Sequence, residues 1–140
     1  ESEGWGASIA TATITDGDVI SFYLDNPIAE SSAARFTRMN NVSYSNGVVS
    51  ATVLESHQYF GPAPDYAWTI TPFAAVSGAT VKVYNAAGTE VGTGTTSSVG
   101  VALINVNTLA SGTYTVKVLG THDSLFNITL TSVAKTFVVE

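Results

Sequence analysis

Hydrophobic and polar residues alternate along most of this chain with a period of two, the spacing of a β-strand with one buried face. No segment repeats with the 3.6-residue period of a long helix. Many short strands at close spacing predict an all-β sandwich rather than a parallel α/β sheet. The predicted strands cover 9–15, 19–24, 35–39, 48–55, 66–71, 81–84, 99–105, 113–119, 126–131 and 135–139.

Two dipeptides mark tight turns between these strands. Asp16-Gly17 and Asn46-Gly47 each separate two strand-like segments, and Gly accepts the positive φ that a two-residue hairpin turn needs. We expect the turn-rich stretch 40–47 to separate two strands. The stretch 57–64 is expected to be irregular because it contains Pro62 and Pro64.

The pattern breaks at 25–34, which favours a linker or a single turn over a short helix. This break divides the chain into an N-terminal β-hairpin, 1–26, and a sandwich, 35–140. A lone hairpin is marginally stable in water. The hairpin therefore either packs on the sandwich or is the tail of a preceding domain.

Composition excludes several classes of function. The 140 residues are 45% hydrophobic and 11% charged, and 34 of them are Thr or Ser. The net charge of −6, with five basic residues, argues against binding to nucleic acid. The chain has no Cys, so disulfides and thiolate-bound metals are excluded. It also lacks an apolar run of the length that membrane insertion requires.

The segment 109–118 predicts a structural device at the end of the sandwich. Leu109 can close the end of the core, and Gly112 allows the chain to turn sharply. Tyr114 has the parity of Val116 and Val118, so it should face inward with them. A hydroxyl bonded back to the upstream corner would make it the tyrosine corner of immunoglobulin-like sandwiches. The alternative is an ordinary buried tyrosine.

Three motifs carry a family resemblance. GATVKVY at 78–84, GTEVGTGTT at 88–96 and GTYTVKV at 112–118 resemble the bacterial immunoglobulin-like domains that occur in tandem on surface proteins. The turn at 97–100 departs from that family's usual acidic-Asn-Gly turn. The resemblance implies an extracellular, cell-surface or cell-wall location, with neighbouring domains of a longer protein as partners. It describes architecture and says little about function.

A weaker resemblance covers the N-terminus. WGASI at 5–9 and TDGDVISFY at 15–23 look like the closing strands of β domains akin to the C-terminal domain of transcobalamin-type proteins. The resemblance implies that this hairpin is a detached piece of such a module. It carries no expectation of cobalamin, because the ligand-facing remainder is absent from the sequence.

Residues capable of catalysis or metal binding are few. His122-Asp123-Ser124 holds the three residue types of a hydrolase triad, but neighbours on one backbone rarely converge, so we expect a loop. Glu55 with His57 is a weak metal pattern on one strand face. Asp16, Asp18 and Asp25 could bind calcium, although their spacing is not that of an EF-hand and favours turn roles. We therefore expect no catalytic residue, metal or cofactor.

Aromatic residues concentrate in 56–73, which holds five of the 14 in the chain. Exposed rings there could stack on sugars, and neighbouring polar groups could supply hydrogen bonds. In the simpler interpretation, Trp68 fills the sandwich core while Tyr59 and Phe60 lie partly exposed at one end. The candidate ligand-binding residues are His57, Tyr59, Phe60, Asp65 and Tyr66.

These observations predict a non-enzymatic module of a secreted or surface-attached bacterial protein, acting as a spacer, stalk or adhesion element. The alternative is a carbohydrate-binding module that uses the aromatic segment 57–73. A glycan or a protein could be the ligand.

Overall fold

The computed structural model describes residues 35–61, 67–119, 121–123, 128–129 and 133–140. The predicted hairpin 1–26 and its boundary with the sandwich lie outside these residues. Where the structure is described it is all-β, as predicted, and its two larger sheets are antiparallel. The strands are β1 (Arg35–Ser45), β2 (Val48–Phe60), β3 (Trp68–Ile70), β4 (Ala74–Ala75), β5 (Thr80–Tyr84), β6 (Glu90–Thr95), β7 (Val101–Asn105), β8 (Gly112–Val118), β9 (Thr121–Asp123), β10 (Ile128–Thr129) and β11 (Val133–Val139).

The first sheet is built on the long hairpin of β1 and β2. Asn46 and Gly47 form its turn with φ of 50° and 78°, which confirms the hairpin that the dipeptide predicts. The pairing continues through 40–45, where a turn was expected, because a bulge between Asn40 and Ser43 absorbs the irregular stretch. Asn41, with φ of 50°, lies in that bulge.

Strand β2 is the central strand of this sheet. One edge pairs with β1, and the opposite edge pairs in turn with β7, β4 and β3. Between β7 and β4 the Val53 N–H donates to the Gly100 carbonyl at 2.8 Å, and the Val53 carbonyl accepts from the Val76 N–H at 3.1 Å. Pairing of His57 with β1 and of 58–60 with β3 extends the strand over 57–60, where the sequence had predicted an irregular segment.

The second sheet has the order β11-β8-β5-β6 and faces the first. Strand β1 lies beside β11 and β6 lies beside β7, so the two sheets meet along both sides. Alternate positions of both sheets form one apolar core. Its fully buried large side chains are Met39, Val49, Val53, Val76, Val81, Val83, Ile104, Val116 and Val118.

The two sheets pack closely between β6 and β7. A Cβ atom on Gly92 would lie 2.5 Å from a methyl carbon of Val106, and one on Gly94 would lie 2.9 Å from a side-chain carbon of Ile104. Gly92 and Gly94, which have no side chains, therefore make room for the buried side chains of Val106 and Ile104. This contact closes the sandwich on one side.

The outer face of the second sheet is rich in threonine. Thr115 lies directly opposite Thr136 of β11, and Thr80 lies opposite Thr95 of β6. The charged groups of this face are paired: Lys82 Nζ lies 2.9 Å from Glu90 Oε2. The Lys117 ammonium lies 5.4 Å from the centre of the Tyr84 ring.

Other predicted boundaries shift by a few residues. The strand predicted over 66–71 is described only over Trp68–Ile70, and that predicted over 126–131 only over Ile128–Thr129. His122 and Asp123, expected in a loop, lie in the short strand β9, which pairs with β10. Backbone pairing rather than turn formation therefore fixes their positions.

Candidate functional site

The predicted ligand-binding segment lies at the far end of the first sheet, which we define as 54–60 of β2 together with β3 and Thr71. His57 is buried with 7% of its surface exposed, and Tyr59 is half-buried. Their rings stack with centroids 5.7 Å apart. The side chains of Phe60 and Trp68, and all of Asp65 and Tyr66, lie outside the described residues. The structure thus brings together two of the five predicted ligand-binding residues.

Thr71 fixes the position of His57. The His57 N–H donates to the Thr71 hydroxyl oxygen at 3.0 Å, and the same oxygen lies 3.1 Å from the ring atom Nδ1. The Thr71 N–H donates to the His57 carbonyl at 2.9 Å. Ser56 donates its hydroxyl proton to the Thr71 carbonyl at 2.6 Å. Side-chain and backbone bonds thus continue the pairing between β2 and the chain after β3.

These contacts give the His57 segment a structural role. A sugar-binding ring needs an open face, whereas the His57 ring is buried and stacked on Tyr59. Its cross-strand neighbour is Arg35, which is also buried, with 7% exposure. On the same sheet the guanidinium of Arg38 covers the ring of Phe73 at 4.1 Å. In the described part of this segment, the aromatic surface is limited to Phe73, which is exposed beneath Arg38, and to Tyr59, which is half-buried against His57.

The opposite end, the hairpin end, comprises the Asn46-Gly47 turn and the loop 106–111 between β7 and β8. Tyr114 faces inward, and its hydroxyl donates to the Ala110 carbonyl at 2.9 Å. This bond to the residue four positions upstream is the geometry of a tyrosine corner. Leu109 packs partly buried against the core, and Gly112 enters β8 with φ of 153°.

A second tyrosine fixes the same loop. The hydroxyl of Tyr44 accepts a hydrogen bond from the Leu109 N–H at 3.1 Å and donates to the Asn107 carbonyl at 3.3 Å. Phe137 lies between Tyr44 and Tyr114, with centroid distances of 5.9 and 5.5 Å. Sequence analysis missed Tyr44 because it lies in the stretch assigned to a turn. Tyr44 lies two positions after Val42, so a strand β1 that continued to Ser45 would place both side chains on the same face.

An open cleft of about 450 Å³ lies at the hairpin end. We call it the turn cleft; its lining residues are Tyr44, Asn46, Gly47, Asn105, Asn107 and Thr108. Its walls are joined by the hydrogen bond from the Val106 N–H to the Gly47 carbonyl at 2.9 Å. None of the six residues carries a charge, so neutral hydrogen-bonding groups define its chemistry.

The described part of the chain has neither a cluster of metal-binding side chains nor a membrane-spanning helix. Within the described ranges, no group of three or more His, Asp or Glu residues is placed to hold a metal ion. Asp16, Asp18 and Asp25 lie outside those ranges, so the calcium alternative stays a prediction. No helix in the described part of the chain is long and apolar enough to cross a bilayer.

Comparison with known proteins gives one family. The model of the secretion system C-terminal sorting domain matches residues 62–131, half of the chain. The match includes β3 to β10, and so all three motifs that resemble immunoglobulin-like surface domains. Neither the curated proteins nor the solved structures contain a match.

Proposed function

Because this chain belongs to the family of secretion system C-terminal sorting domains, we propose that it is the sorting module that directs a larger bacterial protein to the outside of the cell. Membership in this family identifies a secreted protein, extracellular or on the cell surface. The family match over 62–131 is the observation that carries the proposal.

The module acts by recognition and not by catalysis. His57, the described residue best suited to proton transfer, is buried and held by Thr71. The partners of the module are the secretion machinery and the neighbouring domains of its parent protein. A closed sandwich with an apolar core supports such a role, because it can fold as a separate unit beside its cargo.

After export the same module serves as a spacer or adhesion element of immunoglobulin-like type. The tyrosine corner at Tyr114 and the facing antiparallel sheets support this finer assignment. The alternative, carbohydrate binding by the segment 57–73, has less support. His57 is buried, and Tyr59 is half-buried against it.

An export assay tests the sorting function. A reporter enzyme without a targeting segment for the outer surface is fused in front of the chain and expressed in a bacterium that has the secretion system. We expect reporter activity in the medium or on intact cells. Reporter alone is the control and should remain inside the envelope. Retention of a soluble, folded fusion inside the envelope would contradict the proposal.

A pair of variants separates folding from recognition. Val116 is fully buried in β8, so Val116→Asp places a charge in the core and should abolish both folding and export. Lys117 is its exposed neighbour, and Lys117→Asp should preserve the fold. Export of the unfolded Val116→Asp fusion at the normal level would show that a linear segment, not the sandwich, is recognised.

A further inference from the structure

The turn cleft is a rigid site. Gly47 is tied to Val106, and the Tyr44 hydroxyl holds the backbone of Asn107 and Leu109. The ring of Tyr44 is itself stacked on Phe137. A ligand would therefore meet walls that are already in place, which lowers the entropy cost of binding.

Three amide side chains line this cleft without partners of their own. The structure gives no hydrogen bond to the side-chain amide of Asn46, Asn105 or Asn107 from any described residue, and Thr108 adds a hydroxyl. Each amide offers two donor hydrogens and one acceptor oxygen. The Tyr44 ring is half-buried and stacked on Phe137, so it forms a fixed wall of the cleft. The lining thus combines hydrogen-bond donors and acceptors, without charge.

The backbone of the cleft is held in an uncommon conformation. Three described non-glycine residues have positive φ, and two of them, Asn46 at 50° and Asn107 at 56°, line the cleft. The third, Asn41, lies in the β1 bulge outside it. Left-handed asparagines are common in turns. Here they also bring two amide side chains to one cleft, and no described residue hydrogen-bonds to either amide.

We propose that the turn cleft binds a neutral saccharide. Saccharides present hydroxyls that both donate and accept, which matches amide side chains. The uncharged lining gives no counter-charge for an acidic sugar or a phosphate. An extended peptide would also need an apolar pocket for its side chains, and the cleft lining, which is mainly amides and a hydroxyl, supplies none. This site is separate from the aromatic segment 57–73.

The test uses NMR on the isotope-labelled 140-residue chain. Neutral oligosaccharides of α-linked glucose, β-linked glucose and N-acetylglucosamine are titrated in turn, with oligogalacturonate as the acidic probe and a neutral Gly/Ser peptide as the non-sugar probe. We expect one neutral saccharide to shift the side-chain amides of Asn46, Asn105 and Asn107, with a Kd on the order of 1 mM because the cleft is open.

Matched variants assign the effect to the cleft. The double variant Asn46→Gly/Asn107→Gly removes two amides while keeping residues that accept positive φ, and should weaken binding about tenfold or more. Asn41→Gly makes the same change outside the cleft and should bind as the parent chain does. Asn105→Thr, on a strand that favours Thr, replaces the double variant if that protein does not fold.

Four results would overturn the proposal. They are shifts confined to 57–71, equal binding by the cleft variants and the parent chain, shifts with the peptide or the acidic probe but with no neutral saccharide, and an absence of shifts with every probe.

Discussion

The two ends of β2 have the same strand geometry but different inner faces. Toward the hairpin end, the inward positions Val49, Ala51 and Val53 are fully buried in the apolar core. Toward the far end, the same alternation places Glu55, His57 and Tyr59 on that face, and no large side chain there is fully buried. One end packs apolar side chains; the other depends on hydroxyl hydrogen bonds and ring stacking.

The difference shows that strand pairing alone does not define the core. Both halves of β2 are paired with neighbouring strands. Apolar burial contributes about 25 cal/mol per Å², whereas an exchange of water for a protein hydrogen bond gives roughly 1 kcal/mol net. We therefore expect the hairpin end to resist unfolding and the far end to open locally at lower cost.

The largest effect should come from the core of the hairpin end. Ile104 is fully buried, and Ile104→Ala should lower the free energy of unfolding by about 2–5 kcal/mol, because it removes packed methyl groups and leaves a cavity. Leu103, its neighbour on β7, is 67% exposed, and Leu103→Ala should change stability by less than about 0.5 kcal/mol. Urea denaturation measures both. Equal losses would refute the assignment of faces on β7.

The junction between the two halves of β2 comes next. A Cβ on Gly100 would lie 2.6 Å from the Val53 carbonyl oxygen, and the φ of this glycine is 76°. Gly100→Ala should therefore cost at least about 2 kcal/mol. Gly88 has nearly the same φ of 78° but open space around it, so Gly88→Ala should cost only the left-handed strain, about 1–2 kcal/mol. A larger loss at Gly88 in thermal unfolding would contradict the steric argument.

The tyrosine corner tests a polar anchor above the apolar core. Tyr114→Phe removes the hydroxyl bonded to Ala110 and should lower stability by about 1–3 kcal/mol. Tyr84→Phe is the control, because its ring contact with Lys117 does not use the hydroxyl, and the expected change is below about 0.5 kcal/mol. Chemical denaturation compares them. If the Tyr114→Phe protein is as stable as the parent, the tyrosine corner does not stabilise the hairpin end.

At the far end the effect should be local. Thr71→Val removes the hydroxyl that contacts the His57 N–H and ring, at a cost of about 1 kcal/mol. Amide hydrogen exchange within β3 should accelerate about fivefold while exchange in β8 stays unchanged. Thr69→Val is the matched control, because the Thr69 side chain on β3 is exposed. Equal acceleration in β8 would mean that the far end unfolds only together with the core.

The smallest effect on stability should come from the Lys82–Glu90 ion pair on the outer face of the second sheet. The hydrogen bond and charge of Glu90 raise the pKa of Lys82 above its usual 10.5. Since the folded-state pKa is the higher one, the pair stabilises the fold below pH 10.5 and loses its effect as the pH rises through the raised pKa. Glu90→Gln should therefore lower stability slightly at neutral pH and not at strongly alkaline pH. High salt should reduce the difference. A difference that persists in alkali would contradict the ion pair.

The sequence predicted the architecture well where local pattern and tertiary packing agree. The alternation in 81–84 and 113–118 marks buried strands, and Asn46-Gly47 marks a hairpin turn. It failed over 57–60, where Pro62 and Pro64 suggested an irregular chain. Strand pairing with β3 overrides that local preference, and the pairing depends on residues about ten positions away.

The candidate sites were harder to predict because they depend on contacts distant in sequence. Tyr44 meets the loop 106–111 across more than 60 residues, and no local pattern connects them. The turn cleft likewise combines the hairpin turn with the end of β7. The aromatic cluster was visible in sequence, but clustering does not specify exposure, and His57 proved to be buried.

The threonine-rich outer face of the second sheet affects how the hydration of this domain depends on salt. The neutral hydroxyls of Thr113, Thr115 and Thr136 can hydrogen-bond to water, while their branched side chains fit the pleated strands. Only 11% of the residues are charged, so dissolved salt has few charge–charge interactions to screen. Outside the cell, where salt concentration varies with the surroundings, the hydration of this face should stay nearly constant from dilute water to brine.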